Sequence, residues 1–196
     1  MRPQLSLTAG LFLSALLLAA PLRAQARTYT LAPGAPNAVV FSVDDNVDPF
    51  DGRTTNVTGT VVADPQAPSQ ASVEVSVDLP SLDTGNNLRN QHLREKYLQT
   101  DRFPKATFKS VSVVAPPSIS PNQPADLTVT GDFSVHGITK RLTLPVKTTL
   151  LADGRIHILS NFQIRLPDFG ISVPHNLIVT VDDAISIRLD LYAKGK

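Results

Sequence analysis

The stretch "SVEVSVDLPSLDTGNNLRNQHLREKYLQTDRFPKATFKS", Ser72 to Ser110, combines the two sequence patterns that decide the fold class of this chain. Apolar side chains occupy every second position from Val73 to Leu79, which is the period of a β-strand with one buried face. From Asn86 to about Leu98 the alternation stops, and the Asn-rich, basic segment is predicted to form one short helix. The candidate N-cap residues of this helix are Thr84, Asn86 and Asn87.

Alternation of the same period recurs on both sides of this stretch and predicts about eight strands. The runs lie around Tyr29, at 39–43, 57–61 and 73–79, around Phe108, and at 127–135, 142–146, 156–164 and 185–191. The predicted turns between runs are Asp51-Gly52, Asp64-Pro65, the Pro-rich segment 115–126, Asp153-Gly154 and Val173-Pro174. Half-polar strands with short turns indicate an antiparallel sheet that packs on a second sheet or closes into a barrel. Inward faces of Val, Leu and Ile, rather than large aromatic residues, favour an eight-stranded barrel with an internal cavity.

The first 26 residues have the features of a cleaved export signal. Arg2 provides the positive start, Leu5 to Ala20 is almost entirely apolar, and Ala24-Gln25-Ala26 has the small-x-small form of a signal peptidase site. The apolar run is shorter than the roughly 20 residues that a membrane-spanning helix needs. We therefore expect a signal peptide at 1–26, one domain at 27–196 and a periplasmic or secreted protein.

Composition excludes several classes of function. The chain has 18 basic and 17 acidic residues, a balance that gives no reason to expect nucleic acid or an anionic membrane surface as the main partner. It contains no cysteine, so neither a disulfide nor a cysteine nucleophile exists. There is no G-x-S-x-G motif, and the four histidines are not at metal-ligand spacing, so we expect no metal, no cofactor and no enzymatic activity. These histidines are His92, His136, His157 and His175.

Several motifs together resemble the YceI family of exported bacterial proteins. Thr84-Gly85-Asn86, the helix segment Arg89 to Arg94, and Pro104 to Ser110 are similar to its central signature. Gly131 to Val146 resembles its G-x-L-T-I-x-G-V-T-K strand pair, and Asp168 to Ser172 its D-F-G-I turn. The resemblance implies an eight-stranded, lipocalin-like antiparallel barrel, capped by the short helix, with a long apolar tunnel that binds a polyisoprenoid.

Two departures from the family pattern accompany this resemblance. Asn90 stands in place of the usual Asp of R-D-x-H, which implies that a head-group or helix-end contact of that residue is weakened or absent. The aromatic pair before the proline is reduced to Tyr97-Leu98 and Phe103. The chain has no Trp, so the G-x-W signature of true lipocalins is missing and the likeness to them concerns architecture only.

The sequence therefore predicts a carrier or sequestering protein for a long isoprenoid, such as a quinone tail or a polyprenyl phosphate. Side-chain parity predicts the tunnel lining as Phe41, Val75, Val77, Val129, Phe133, Leu144, Ile158, Phe162, Ile187 and Leu189. The predicted head-group or mouth residues are Asn86, Arg89, His92 and Arg94.

Three other functions remain open at this point: a scavenger of amphipathic toxins or antibiotics, an enzyme acting on isoprenoids, and a structural module with a filled interior. For the basic helix, a plain solvated cap is the alternative to head-group binding. The oligomeric state is open, with a homodimer among the alternatives.

Overall fold

The computed structural model describes residues 25–45, 49–173 and 181–196. Nearly all of the predicted signal peptide, and Pro174 of the predicted Val173-Pro174 turn, lie outside these described residues. The described residues form ten β-strands: β1 Arg27–Leu31, β2 Ala38–Asp45, β3 Phe50–Thr54, β4 Val57–Ala63, β5 Ser72–Asp78, β6 Lys105–Val114, β7 Pro124–Val135, β8 Ile138–Leu150, β9 Ile156–Arg165 and β10 Val181–Gly195.

The ten strands make eight positions in a closed antiparallel barrel. From β4 to β10, each strand pairs with the next one along the chain. One edge of β10 pairs with both β2 and β1, so these two strands are consecutive parts of a single barrel strand. In the same way β3 pairs with β2 and β4 pairs with β1, so β3 and β4 form a second interrupted strand. Pairing of β1 with β10 closes the ring, and the predicted eight-stranded antiparallel barrel is confirmed.

Asn37 fastens the interruption between β1 and β2. Its side chain is buried; Nδ2 donates to the Ala32 carbonyl oxygen at 2.7 Å, and Oδ1 accepts from the Tyr192 backbone N–H at 2.7 Å. The carboxamide thus replaces strand hydrogen bonds that the backbone loses where it leaves the sheet. The two interruptions adjoin each other, because the Gly34 N–H donates to the Thr55 carbonyl oxygen at 2.9 Å.

The predicted turn at Asp51-Gly52 is wrong, because both residues lie inside β3. The phenyl ring of Phe41, on the neighbouring strand β2, lies directly against Gly52, where a Cβ atom would overlap it. A glycine normally weakens a strand, but here its missing side chain makes room for a cross-strand aromatic ring. Tertiary packing therefore overrides the local turn signal.

The predicted helix consists of α1, Asn87–His92, followed by one π-helical turn, Leu93–Tyr97. Asn86 is its N-cap, and its side-chain oxygen accepts from the N–H groups of Leu88 and Arg89 at 3.0 and 3.1 Å. Elsewhere in the described residues there are three short 3₁₀ turns, at Pro68–Gln70, Leu79–Ser81 and Leu166–Phe169.

The up-and-down order gives the barrel two different ends. At one, here called the helix end, lie α1, its π-helical turn, the β7–β8 turn and the 3₁₀ turn Leu166–Phe169. At the opposite end, here called the far end, lie the β4–β5 connection 64–71 and the β6–β7 connection 115–123. Inward-pointing apolar side chains from all eight strand positions line the space between the two ends.

Candidate functional site

A cavity of about 480 Å³ extends through the barrel from the helix end to the far end. Its volume lies within the range of small-molecule and cofactor sites in proteins. The structure places all ten residues of the predicted lining on its wall: Phe41, Val75, Val77, Val129, Phe133, Leu144, Ile158, Phe162, Ile187 and Leu189. The period-two pattern therefore identifies the wall, whereas contact of these side chains with a ligand stays a prediction.

Between its two ends, the wall is apolar apart from a few hydroxyl groups. Thr148 on β8 and Ser160 on β9 are both buried in it. The Thr148 hydroxyl donates to the His157 carbonyl oxygen at 3.2 Å, and the Ser160 hydroxyl donates to the Pro145 carbonyl oxygen at 2.7 Å. Since the protons of these two hydroxyls are engaged by the barrel itself, neither has a donor left for a molecule inside. This part of the cavity suits a hydrocarbon.

Arg89 and His92 bring polar groups to the cavity at the helix end. Both line its wall, and His92 is also exposed to solvent, so the cavity reaches the surface here. The Arg89 guanidinium lies over the Phe50 ring, 4.1 Å from the ring centre, and is half-buried. This stacking directs a positive charge into the mouth at a position partly shielded from water.

The other two predicted mouth residues do not line the cavity. Asn86 caps α1, and its side-chain oxygen accepts from the N–H groups of Leu88 and Arg89, so these two groups are not open to a phosphate. Arg94 faces the turn before the helix instead, where its charge helps to lower the pKa of Asp83.

The cavity wall also contains helix residues that the strand pattern does not reveal. Leu93 and Tyr97 line it together with Arg89. These residues are four positions apart and therefore lie on one face of a helix. This spacing is the feature of the sequence from which their position toward the barrel could have been predicted. At the far end Pro65, Pro68 and Ile119 line the cavity from irregular connections, which carry no periodic signal.

Neither a metal site nor a membrane-spanning helix is present in the described parts of the chain. In the described residues, no three or more His, Asp or Glu side chains are grouped so that they could hold a metal ion. Nor does any described helix have the length and apolar character that crossing a membrane requires.

Comparison with known proteins places this barrel in a family. The model of the YceI-like domain matches residues 29–193, which is most of the chain. The chain belongs to the YceI family. The resemblance seen in the sequence motifs is confirmed by this match.

Curated YceI-family relatives come from several bacteria. The chain is 34% identical over 119 residues to Protein YceI of Escherichia coli O17:K52:H18 (strain UMN026 / ExPEC), covering 58% of this chain and 59% of that relative. It is 30% identical over 199 residues to a UPF0312 protein of Shewanella denitrificans, covering 96% of both chains.

Solved structures share the YceI barrel at low sequence identity. Burkholderia cenocepacia BcnA is 23% identical, with a TM-score of 0.69 over 81% of this chain and 96% of BcnA. A polyisoprenoid binding domain from Saccharophagus degradans, implicated in plant cell wall breakdown, is 13% identical, with a TM-score of 0.68 over 88% of this chain and all of that domain. At these identities the likeness concerns the fold.

Proposed function

We propose that this protein is a non-enzymatic binding protein that carries or sequesters a long isoprenoid, a quinone tail or a polyprenyl phosphate, inside its barrel. The observation that carries the proposal is the cavity itself: about 480 Å³, apolar through its middle, with Arg89 and His92 at one end. A structure with the same fold is that of a polyisoprenoid binding domain, which supports an isoprenoid over other apolar ligands.

The energetics favour such a ligand. Each CH₂ group moved from water into an apolar wall contributes roughly 0.8 kcal/mol, so a chain of several isoprene units gains much more than head-group contacts supply. The engaged hydroxyls of Thr148 and Ser160 offer the middle of this chain no hydrogen-bond donor. Binding without chemistry therefore suits this wall better than catalysis does.

We also propose that the protein acts in the periplasm. The support is the sequence of residues 1–26, with its basic start, apolar core and Ala24-Gln25-Ala26 site. The N-terminal sequence of the folded protein recovered from cells tests this, with Arg27 expected as the first residue. Folded protein that still begins at Met1 would contradict export.

The ligand is tested by extracting the purified protein with organic solvent and analysing the extract by mass spectrometry. One isoprenoid species is the expected result. A mixture of unrelated amphipathic lipids would favour the scavenger instead. The alternative that binds no ligand is a structural module with a filled interior, and a cavity of this size argues against it.

A further inference from the structure

The far end of the cavity is crossed by two connections that bond to each other. The connection 64–71 joins β4 to β5, and the connection 115–123 joins β6 to β7. The Ile119 N–H of the second donates to the Pro65 carbonyl oxygen of the first at 2.8 Å. This bond spans the place where β5 and β6 have stopped pairing, since their register ends at Glu74 and Lys109.

Both connections are held by further hydrogen bonds. In the first, the Asp64 side chain accepts from the Gln66 N–H at 2.9 Å, and the Asp64 carbonyl oxygen accepts from the Ala67 N–H at 2.9 Å. In the second, the Asn122 N–H donates to the Leu150 carbonyl oxygen at the end of β8, at 2.7 Å. The far end is therefore built from fixed turns.

The residues of these connections that line the cavity are the apolar Pro65, Pro68, Ala71 and Ile119, together with Asp64, whose carboxylate already accepts from the Gln66 N–H. We call Pro65, Pro68 and Ile119 the floor. Pro68 is buried and begins a 3₁₀ turn, whereas Ile119 is half-buried and its side chain is the flexible member of the three. The opposite end has Arg89 and His92. The two ends thus differ in chemistry as well as in construction.

We infer that a bound isoprenoid lies with its polar head at the helix end and its terminal isoprene unit against the floor, and that Ile119 sets the longest chain the barrel accepts. This inference rests on the proposed function. A chain that reaches the floor before its head reaches Arg89 must leave methylene groups in water or fold back, and either loses the gain from burial. Affinity should then rise with chain length and fall beyond one length.

The test measures binding of a series of polyprenols, from three isoprene units upward, to delipidated full-length protein by displacement of a fluorescent lipid probe. In Ile119→Ala the floor recedes, so we expect the best-binding polyprenol to be a longer homologue than in the wild type. In Ile119→Trp the floor advances, and a shorter homologue should bind best. A polyprenol beyond the new limit should bind about tenfold more weakly than the best one.

Ile138→Ala is the matched control, because Ile138 is exposed at the start of β8 and does not line the cavity. The same atoms are removed, yet neither the length nor the width of the tunnel changes, so the preferred polyprenol should stay the same. Circular dichroism checks folding, and if Ile119→Trp does not fold, Ile119→Ala alone decides.

Two results would overturn the inference in distinguishable ways. If the wild type binds polyprenols and the Ile119 variants prefer the wild-type length, the floor does not select chain length, while the proposed function stands. If the wild type binds no polyprenol of any length, the proposed function fails and the inference fails with it.

Discussion

At position 90, a buried carboxamide supplies both an acceptor and a donor to the turn that precedes α1. Asn90 Oδ1 accepts from the backbone N–H and the hydroxyl of Thr84 at 2.8 and 2.7 Å. Asn90 Nδ2 donates to Asp83 Oδ1 at 2.7 Å, and this bond is the main cause of the lowered pKa of Asp83. The departure from the family pattern predicts a weakened or missing helix-end contact at this residue. Instead, Asn90 makes a helix-end contact with three hydrogen bonds, all to Thr84 and Asp83 of the same chain.

We predict that Asn90→Asp destabilises the protein at neutral pH. The change removes the donor to Asp83 and places a second carboxylate beside it, so each carboxyl raises the pKa of the other. In the wild type, the stabilisation from the lowered pKa of Asp83 is present above its ordinary value of 3.8 and lost as pH falls through the folded value. In the variant, the repulsion between the two carboxylates disappears as they become protonated. The melting temperature should therefore fall by several degrees at pH 7 and differ little from the wild type in acid.

The double variant Asp83→Asn, Asn90→Asp provides the control. It exchanges the two side chains, so that an amide donor at 83 again faces a carboxylate acceptor at 90, and most of the stability at pH 7 should return. If the double variant is no more stable than Asn90→Asp, the loss does not come from this pair.

At the scale of single elements, the helical segment made of α1 and its π-helical turn carries two sets of basic residues. Arg89 and His92 face the cavity, while Arg94 faces Asp83 on the other side. The segment is anchored through its Asn86 cap and Asn90, and the Thr100 N–H donates to the Arg94 carbonyl oxygen at 2.9 Å. Basic side chains on the two sides of this segment can thus be compared for their effect on ligand binding.

We predict that the double change Arg89→Ala, His92→Ala weakens binding of a polyprenyl phosphate at least about tenfold. A charge-assisted hydrogen bond shielded from water contributes roughly 1.5–3 kcal/mol, and the half-buried Arg89 is placed to make one, while the exposed His92 offers a second polar group at the mouth. Binding of the matching uncharged polyprenol should barely change, because the apolar tail supplies that affinity. Titration of both lipids into folded protein measures this difference.

Arg94→Ala is the matched control for the helix and should leave binding of both lipids unchanged. If the double variant loses affinity for both lipids equally, α1 only covers the barrel and does not bind the head group. If it loses affinity for neither lipid, the head group does not contact this end of the barrel.

How far the elements could be predicted depends on where their determinants lie in the chain. The wall of the barrel follows from strand parity, because the period of two fixes which side chains point inward. Local turn chemistry wrongly predicts a turn at Gly52, because Phe41, whose ring covers this glycine, lies on another strand. The floor could not be predicted, because Pro65 and Ile119 meet through one bond between two irregular connections.

At the scale of the whole molecule, closure of the barrel depends on β1. Tyr29 pairs with Val61 on β4 and with Gly195 on β10, and it is only 2% exposed. This one buried side chain therefore packs at the seam where the first and last strands of the barrel meet. The interruption beside it is held by Asn37, whose partner Tyr192 is 155 residues away in the chain. A pairing so distant has no local sequence signal, and for this reason the sequence predicts β1 and β2 as separate strands and not as two parts of one barrel strand.

We predict that Tyr29→Ala costs about 3–5 kcal/mol in the free energy of unfolding, as expected for removal of a fully buried aromatic side chain. Tyr192→Ala, on the outer wall, should cost about 1–2 kcal/mol, since its ring mainly stacks on His157 with ring centres 4.3 Å apart. Urea denaturation of both variants gives the comparison. Equal losses would show that the seam contributes no more than the outer surface does.

The meander also imposes an order on folding. The hairpins from β4 to β10 join neighbouring segments and can form as soon as those segments exist, whereas the pairings of β1 and β2 with β10 join opposite ends of the domain. Ring closure must therefore wait until β10, the last strand, has been synthesised. Until then the sheet is open and its apolar face is accessible. Under the proposed function, an isoprenoid present at this stage is enclosed as the sheet closes around it, without passing through the finished mouth.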